Sequence, residues 1–579
     1  MFKQDELKPF VKSIKPAFGS WLRESEMWLG MDLFSETDWI DGEVSFAFST
    51  QWSTKKRFAI NRAVLIRLNG DEKKTTAHLK KVFDNVRLAG GVRIQAPGDD
   101  VETWTIGKKK SREIYVAKSN GWLTVCDHKP TVNAVLKKLA MPKVKLPESL
   151  AANVMARTKF KQAALADQPG DIQWCCRPIR ACAIVAQLSR IDDPEYYKLL
   201  ESTGFDVFRE AGGRVRFATT EHEMIHRMFV DYHVGADPKK ANVLNMFNFE
   251  NKEKAPLHPP DWVPNIAMQC TVLDWNAHAA LIGIDPVYDS FIGEDGSFKR
   301  LVNDLKVDPD IKFDLKKFAL CLNRRIVMFN LPVTDGATAR SQSVFCIKIK
   351  EGESKFVMES LKRASEGEVI KLMGFEVIKA REYDDLEDAS LLESGVRKEN
   401  LALGNGLEPA ARPAGLPVGN ASYREGKFFV YAQGHLIVAR DKEVLKRVLE
   451  KRKKGKLAET DDYIQVFAAL SKLRKTKNVG IHHFLRLDQS VKFNYELLRK
   501  GKLNLRELLS PVPALDSSEY DEEFEQLDEP KKVGLLERLD GKSLPADVKK
   551  HITPYLGNAG WSLENVEGGW LINGVILKK

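Results

Sequence analysis

The sequence predicts an α+β protein built from tandem modules, each an antiparallel β-sheet with helices packed on one face. Three observations support this fold class. A strand–turn–helix segment occurs twice, a strand–glycine–strand–helix segment follows each copy, and apolar residues alternate in the strands but recur at helical spacing in the helices. At 579 residues the chain is too long for one ordinary hydrophobic core, so several modules are expected.

The strand–turn–helix segment is clearest in residues 63–86, AVLIRLNGDEKKTTAHLKKVFDNV, where a β-branched run ends at Asn69-Gly70 and an amphipathic helix follows. Residues 343–364, SVFCIKIKEGESKFVMESLKRA, have the same pattern with a turn at Glu351-Gly352. Each copy is followed by a short strand, ETWTIG in the first and FEVIKA in the second. The two segments therefore predict the same local structure.

The second shared segment is IYVAKSNGWLTVCDHKPTVNAVLKKL at 114–139, matched by KFFVYAQGHLIVARDKEVLKRVLEKR at 427–452. When Gly121 is aligned with Gly434, the flanking apolar residues align without a gap, and a glycine suits the turn of a hairpin. A further strand precedes each copy, GEVSFAFST in the first and RRIVMFNLP in the second. The predicted module is therefore β-β-α-β-β-β-α.

Two weaker relatives of this module lie between and after the clear copies. One begins with the apolar run CAIVAQL, continues through the helix PEYYKLLESTGFDVF, and has strands in RVRFATT and IHRMFVDYH. The other starts at NVGIHHFLRL and ends in the hairpin GWSLENVEGGWLINGVIL. Both are interpreted as degenerate copies of the sheet-and-helix pattern.

These segments give a predicted domain organisation. It comprises an N-terminal helical segment (1–35), module 1 (36–145), a degenerate module 2 (160–255), module 3 (256–460) with an insertion (381–426), and a C-terminal module (461–579) with an acidic linker (511–530). The insertion contains the loop-like GNGLEPAARPAGLPVGN. The linker has acids but lacks the alternating ligands and central glycine of an EF-hand loop, so a solvated connection is expected.

Composition excludes several classes of protein. With 43% hydrophobic residues the chain buries several cores, yet no window has the roughly 18 unbroken apolar residues of a membrane helix. The net charge of +10 comes from 90 basic and 80 acidic residues, too mild an excess for a dedicated nucleic-acid binder. Seven cysteines cannot all pair within the chain, and most lie in apolar runs. The adjacent Cys175-Cys176 is the one pair considered for redox or metal chemistry.

A catalytic motif is spelled by His222-Glu223-Met224-Ile225-His226, which fits the H-E-x-x-H of zinc peptidases. That chemistry needs a helix, so that both imidazoles lie on one face and the glutamate activates water. The stretch equally fits an alternating strand, and RVRFATT before it predicts a hairpin. Arg227 would also place a cation beside the metal. The strand is the favoured interpretation, and the zinc site is the alternative.

Other candidate sites carry weaker signals. The basic run 446–456, with Lys451, Arg452, Lys453 and Lys454, suggests an anionic polymer but has no interleaved aromatics to stack on nucleotides. His482-His483 lies in a strand whose alternation puts one ring in and one out, while His78, His128, His278 and His435 are interpreted as surface or turn residues. No G-x-S-x-G elbow, phosphate-binding loop or dinucleotide fingerprint occurs. We therefore assign no catalytic residue, metal or cofactor.

One resemblance bears on location. FDVFREAGGRVRFATTEHEMIHRMFVDYH, WVPNIAMQCTVLDWNAHAALIGIDPVYDSF and YAQGHLIVARDKEVLKRVL resemble, in order and spacing over about residues 170–455, a planctomycete-type bacterial family of membrane-or-secreted proteins of unknown function. The stretch that begins with His226-Arg227 resembles that family's recurrent His-Arg-x-Phe-Val-Tyr strand, with Asp231 interrupting the pattern before Tyr232. The resemblance implies an extracytoplasmic protein. The start has no apolar signal segment, and unpaired cysteines suit a reducing compartment, so a cytoplasmic location is the alternative.

The predicted function is a non-catalytic binding or scaffold protein of the bacterial cell envelope, because repeated modules provide long surfaces. A protein or an envelope polymer is the expected partner, and nucleic acid is disfavoured. The alternatives are a zinc-dependent hydrolase that uses residues 222–226 and an anionic-polymer or nucleic-acid binder that uses residues 446–456. The sequence leaves the oligomeric state open.

Overall fold

The computed structural model describes residues 40–52, 58–88, 92–94, 101–106, 112–140, 171–188, 194–217, 219–249, 251, 255–309, 311–335, 338–380, 427–450, 455–499, 553 and 556–579. These residues form nineteen strands and twelve α-helices, so the protein has the α+β class that the sequence predicts. Four expected features lie outside the described residues: the helical segment 1–35, the insertion 381–426, the acidic linker 511–530 and the basic residues 451–454.

A six-stranded antiparallel sheet is formed by the first part of the chain. Its strands, in chain order, are β1 (Ile40–Trp52), β2 (Phe58–Leu68), β3 (Val92–Ile94), β4 (Glu102–Ile106), β5 (Arg112–Ser119) and β6 (Trp122–Cys126). Two helices accompany them, α1 (Glu72–Leu88) after β2 and α2 (Lys129–Leu139) after β6. The strand order across the sheet is β1-β2-β6-β5-β4-β3.

A thirteen-stranded antiparallel sheet contains the remaining strands. They are β7 (Ile172–Cys176), β8 (Phe208–Phe217), β9 (His222–Tyr232), β10 (Gln269–Asp274), β11 (Leu322–Asp335), β12 (Thr338–Ile349), β13 (Glu368–Leu372), β14 (Phe375–Lys379), β15 (Phe428–Ala432), β16 (His435–Ala439), β17 (Val479–Leu485), β18 (Ala559–Val566) and β19 (Gly569–Leu577). The order across the sheet is β13-β14-β15-β16-β12-β11-β10-β17-β18-β19-β9-β8-β7.

Ten further α-helices accompany this large sheet. They are α3 (Pro178–Leu188), α4 (Pro194–Ser202), α5 (Pro238–Met246), α6 (Ala277–Ile292), α7 (Ser297–Val307), α8 (Leu315–Cys321), α9 (Ser354–Ala364), α10 (Lys442–Leu449), α11 (Asp461–Leu473) and α12 (Leu487–Arg499). Within the described residues, no helix is both long enough and apolar enough to cross a membrane.

The two segments that are similar in sequence have the same strand order and register. Strands β11 to β16 follow the order β11-β12-β16-β15-β14-β13, which matches that of β1 to β6. Ala63 pairs with Cys126 in the small sheet, as Val344 pairs with Ala439 in the large one. The first strand of each copy also has a register shift near its start, between Ile40 and Val44 and between Leu322 and Ile326. Superposition of the two segments stays a prediction.

The hairpin aligned through Gly121 and Gly434 has the expected turn in both copies. Asn120-Gly121 and Gln433-Gly434 have positive φ at both central residues, 48° and 76° in the first and 53° and 78° in the second. That geometry is a type I′ turn, which matches the twist of antiparallel strands. Each module has one strand more than expected, because β3 and β13 form between the first helix and the next predicted strand.

The helices of each module lie on opposite faces of the sheet, which corrects the expectation that they share one face. Leu79 and Phe83 of α1 pack in the core that contains Ile66, whereas Val132 of α2 packs in the core that contains Ala63. Ile66 and Ala63 point to opposite faces because they are three residues apart in one strand. The run AVLIRL is apolar at odd and even positions, which is typical of a strand covered on both faces.

The large sheet shows the same three layers. Helices α10 and α11 pack on one face, where Val444 and Val466 join a core with Val327 and Cys346. Helices α8 and α9 pack on the other face, where Cys321 and Val357 join a core with neighbours such as Ile347. We call these the α11 face and the α9 face.

The large sheet is not divided at the boundaries expected between modules. Strands β7–β9 of the second segment, β10–β16 of the third and β17–β19 of the fourth are hydrogen-bonded in one sheet. The run CAIVAQL is helical, within α3, and the strand of that segment is IQWCC. A proline begins α3 and alanines are frequent in it, which favours a helix over a strand.

Candidate functional site: an uncharged strip across the large sheet

A single row of register partners crosses the α9 face of the large sheet from β13 to β7 and contains no charged residue type. In spatial order its members are Val369, Ile378, Phe429, Val438, Phe345, Met328, Thr271, His483, Trp561, Gly574, His226, Val215 and Ile172. We call this row the uncharged strip. At about 4.8 Å between strands it is about 58 Å long.

The uncharged strip is partly open to solvent. Phe345 is 39% exposed and its cross-strand partner Met328 is 38% exposed, near the middle of the sheet. Val369 and Ile172, at the two ends, are also exposed, while Ile378 and Gly574 are buried and the others are half-buried. The neighbouring row on the same face, which includes Ile326 and Ile347, is buried in the core beneath α8 and α9. The strip therefore lies at the margin of the core beneath α8 and α9, where these two helices no longer cover side chains such as Phe345 and Met328.

The centre of the strip is a stack of aromatic rings held by one side-chain hydrogen bond. The rings of His483 and Trp561 are stacked with centroids 5.5 Å apart. The Nδ1 atom of His483 is 2.8 Å from Oγ1 of Thr271, its partner on β10. Burial lowers the pKa of His483 from 6.5 to about 4. The imidazole is therefore neutral at neutral pH, and this part of the strip is polarisable but uncharged.

A second aromatic pair lies towards the β7 edge. The ring of His226 stacks on Trp174 with centroids 6.1 Å apart, and burial lowers the pKa of His226. Gly574 separates His226 from Trp561, and a Cβ there would meet both neighbours only at ordinary contact distance, 3.7 Å. Both histidines of the strip thus favour the neutral form. The strip suits an apolar or aromatic partner and offers no charge to an ionic one.

The α11 face has a different row at the same level of the sheet. From β7 to β17 the register partners are Gln173, Arg214, Arg227, Asn573, Ser562 and His482, and beyond β10 the row is apolar. Helix α11 contacts β17, β18 and β19, over the polar part of this row. Polar groups buried under a helix need hydrogen-bond partners, and Arg227 and Asn573 have them.

The buried carboxylate of Glu564 connects this polar row to the end of α11. Its Oε2 accepts from the backbone N–H groups of Lys475 and Thr476, both at 2.8 Å, and its Oε1 accepts from Asn573 at 2.6 Å. Arg227 donates to Asn573 at 3.1 Å and to the carbonyl of Leu473, the last residue of α11, at 2.7 Å. A cation at a helix C-terminus is favourable. The network therefore positions α11, and its groups are committed to structure.

His482 lies in an aromatic cluster below α11. Its ring is stacked on Phe467 with centroids 5.0 Å apart and is 5.7 Å from Tyr463. The hydroxyl of Tyr463 is 3.2 Å from Nδ1 of His258. Burial, with Arg474 nearby, lowers the pKa of His482 well below its usual value. Among the described residues, Nε2 of His482 and Oγ of Ser562 have no hydrogen-bond partner. His482 is 1% exposed, whereas His258 at the outer end of the cluster is exposed, so solvent reaches the cluster at His258 but not at His482.

The stretch His222–His226 is a strand, as the alternation of its residues predicts, because it begins β9. Four residues of extended chain place the Cα atoms of His222 and His226 about 13 Å apart, whereas in a zinc-binding helix the two histidines are one turn apart on one face, with Cα atoms about 6 Å apart. Their surroundings also differ: His222 is near Lys472, while His226 stacks on Trp174. No group of three or more His, Cys, Asp or Glu in the described part of the chain is placed to hold a metal ion. The geometry therefore does not support the zinc-hydrolase alternative.

The remaining sequence candidates are dispersed. His78 and His435 are buried rather than on the surface, His278 is exposed, and His128 contacts Thr131 at the start of α2. His482 and His483 point to opposite faces: His482 is buried beneath α11, and His483 is half-buried in the uncharged strip. All seven cysteines are free thiols, and Cys270 and Cys346 are buried in the core of the α11 face. Cys175 and Cys176 pair with β8 as ordinary strand residues, and burial raises the pKa of both thiols.

Sequence reasoning missed both the uncharged strip and the Glu564 network. The strip's members come from thirteen strands and are neighbours only through strand register, for which the chain has no local signal. Glu564 is in ENVEGG, a stretch typical of a polar hairpin turn, and its burial is decided by α11. Comparison with known protein families, with curated proteins and with solved structures finds no match to this chain.

Proposed function

We propose that the protein is a non-catalytic binding or scaffold component of the bacterial cell envelope, and that the uncharged strip is where it binds a partner protein. The observation that supports this proposal is the strip itself. Contiguous apolar surface on a folded protein marks interaction sites, and Phe345 and Met328 are large apolar side chains exposed side by side in it.

The chemistry of the strip supports a partner with apolar or aromatic side chains. Aromatic residues and methionine are enriched at the centres of protein interfaces, and charged residues are depleted there. The strip contains Phe345, Phe429, Trp561 and Met328 and has two histidines whose pKa values are lowered. Its length of about 58 Å suits an extended contact rather than the enclosure of one small molecule.

The test compares the full-length protein with a variant that places a charge in the strip. Phe345→Lys should abolish or weaken partner binding by at least tenfold, because an ammonium group buried in an apolar interface loses its hydration. Tagged wild-type protein, purified from its native envelope extract, supplies the partner. Binding of that purified partner is then measured for each variant by titration calorimetry.

The matched control is Ile464→Lys. Ile464 is 50% exposed on α11, which covers the opposite face, so this substitution adds the same charge to a similarly exposed apolar position away from the strip. The control should bind as the wild type does. If Phe345→Lys binds equally well, or if both variants lose binding to the same extent, the strip is not the binding surface.

The envelope location is a separate part of the proposal and rests on the family resemblance of residues 170–455. Fractionation of cells that produce the natural precursor, followed by determination of the mature amino terminus, tests it. Recovery only with the cytoplasmic fraction, with an unprocessed Met1, would contradict the location and leave the binding proposal unchanged.

A further inference from the structure

The outer edge of β1 in the small sheet has no neighbour among the described strands, whereas the corresponding edge in the large sheet is paired. Strand β1 is hydrogen-bonded to β2, and its other edge has no neighbour among the described strands. The counterpart of β1 is β11, because Val44 pairs with Ile66 as Ile326 pairs with Ile347. The outer edge of β11 is occupied by the antiparallel strand β10.

The register identifies which part of β1 corresponds to the occupied edge. Strand β10 pairs with residues Arg325 to Asn330 of β11, and these correspond to Glu43 to Phe48 of β1. The same backbone geometry that accepts six residues of β10 in the large sheet is therefore present in the small one, where no described strand pairs with it. An unpaired strand edge is a template for another strand.

The side chains of the unpaired segment are apolar and exposed on one face. Val44 is 36% exposed, Phe46 57% and Phe48 51%. Their cross-strand neighbours on that face include Ile66, which is buried in the core beneath α1. Beyond Glu43 and the register shift near its start, the strand has no charged residue and no proline, the residues that commonly protect an edge from pairing. The apolar layer thus continues past α1 and ends at an open edge.

We infer that β1 pairs with β1 of a second copy of this chain, so that two six-stranded sheets join in one twelve-stranded sheet across a two-fold axis. Phe46 is the middle residue of β1, and Val44 and Phe48 lie symmetrically on either side of it. An antiparallel pair centred on Phe46 places Phe46 opposite itself and Val44 opposite Phe48 of the partner. Glu43 then lies opposite Ser49, so no like charges meet in the exposed part of the strand.

The self-complementary pattern is the reason to choose a second copy over another strand. A two-fold interface uses the same patch on both subunits, and an apolar triad symmetric about its centre meets that condition in one register. Helix α3 of the same chain approaches β1 and is the competing occupant. A protein in which α3 covers the edge is a monomer, so the oligomeric state separates the two arrangements.

The experiment measures the mass of the full-length protein by sedimentation equilibrium from micromolar to about 100 µM. A dimer that dissociates on dilution is expected. Phe46→Lys should raise the dissociation constant at least tenfold, because two ammonium groups then face each other across the axis. Val92→Lys is the matched control: Val92 is 61% exposed on β3, the opposite edge of the same sheet, and its substitution should leave the dimer unchanged.

Charge complementation tests the proposed register. Phe46→Lys and Phe46→Glu should each dimerise at least tenfold more weakly than the wild type, and an equimolar mixture of the two should dimerise more tightly than either variant alone, because Phe46 of one copy faces Phe46 of the other. A wild-type monomer at every concentration would overturn the inference. So would a dimer that Phe46→Lys leaves intact, or a mixture of the two charged variants that dimerises no more tightly than either alone.

Discussion

Acidification should destabilise the large sheet through His483, and the structure gives the size of the effect. Burial lowers the pKa of His483 from 6.5 to about 4. Between these values the imidazole binds a proton in the unfolded chain but not in the folded one, so proton uptake favours unfolding. The stabilising contribution is complete above about pH 6.5 and is lost as the pH falls towards 4.

The magnitude follows from the two pKa values. They differ by about 2.5, and each pH unit between them costs about 1.4 kcal/mol, so His483 alone should account for about 3 kcal/mol of acid destabilisation. The physical cause is that the protonated ring would be desolvated between β10 and β18, next to Thr271 and Trp561.

The assay is urea unfolding at pH 7 and pH 4, followed by tryptophan fluorescence, with free energies from the midpoints and a common m-value. The His483→Gln variant should lose about 3 kcal/mol less than the wild type between the two pH values. His278→Gln, on the exposed surface of α6, is the control and should behave as the wild type does. A difference of less than about 1 kcal/mol between His483→Gln and the wild type would refute the desolvation argument.

Three further predictions concern single positions. Glu564→Ala should lower the free energy of unfolding by about 3–5 kcal/mol, because two backbone N–H groups and Asn573 lose their acceptor. The control Glu567→Ala, in the exposed turn of the same hairpin, should change the free energy of unfolding by less than about 0.5 kcal/mol. Equal urea midpoints for the two variants would contradict this prediction. Gly480→Ala should lower the melting temperature by several degrees because its Cβ would overlap the carbonyl of Phe249, while Gly574→Ala, where the Cβ has ordinary contacts, should lower it much less. His222→Ala should leave the metal content of the purified protein, measured by elemental analysis, unchanged. If the wild type contains stoichiometric zinc and His222→Ala lacks it, His222 is a zinc ligand and the argument from strand geometry is wrong.

Much of the local structure follows from the sequence by itself. The apolar runs, the glycines at the hairpin turns and the amphipathic helices predict the elements of modules 1 and 3, because these signals act between residues close in the chain. Alternation in EHEMIHRMFVDYH likewise predicts strand β9. The run CAIVAQL shows the limit of such signals, since a short apolar run is compatible with a strand or a helix until its flanking proline is considered.

Only the tertiary structure decides which strands become neighbours and which faces the helices cover. Joining β10 to β17 and β19 to β9 brings together segments that are more than 200 residues apart, and no local preference encodes that choice. The same long-range pairing aligns the uncharged strip and places Glu564 under the end of α11. An isolated strand has two equivalent faces and two free edges. Burial of apolar area over the whole chain, rather than the propensity of any segment, determines which of these are covered and which, like the outer edge of β1, have no neighbour within the described part of the chain.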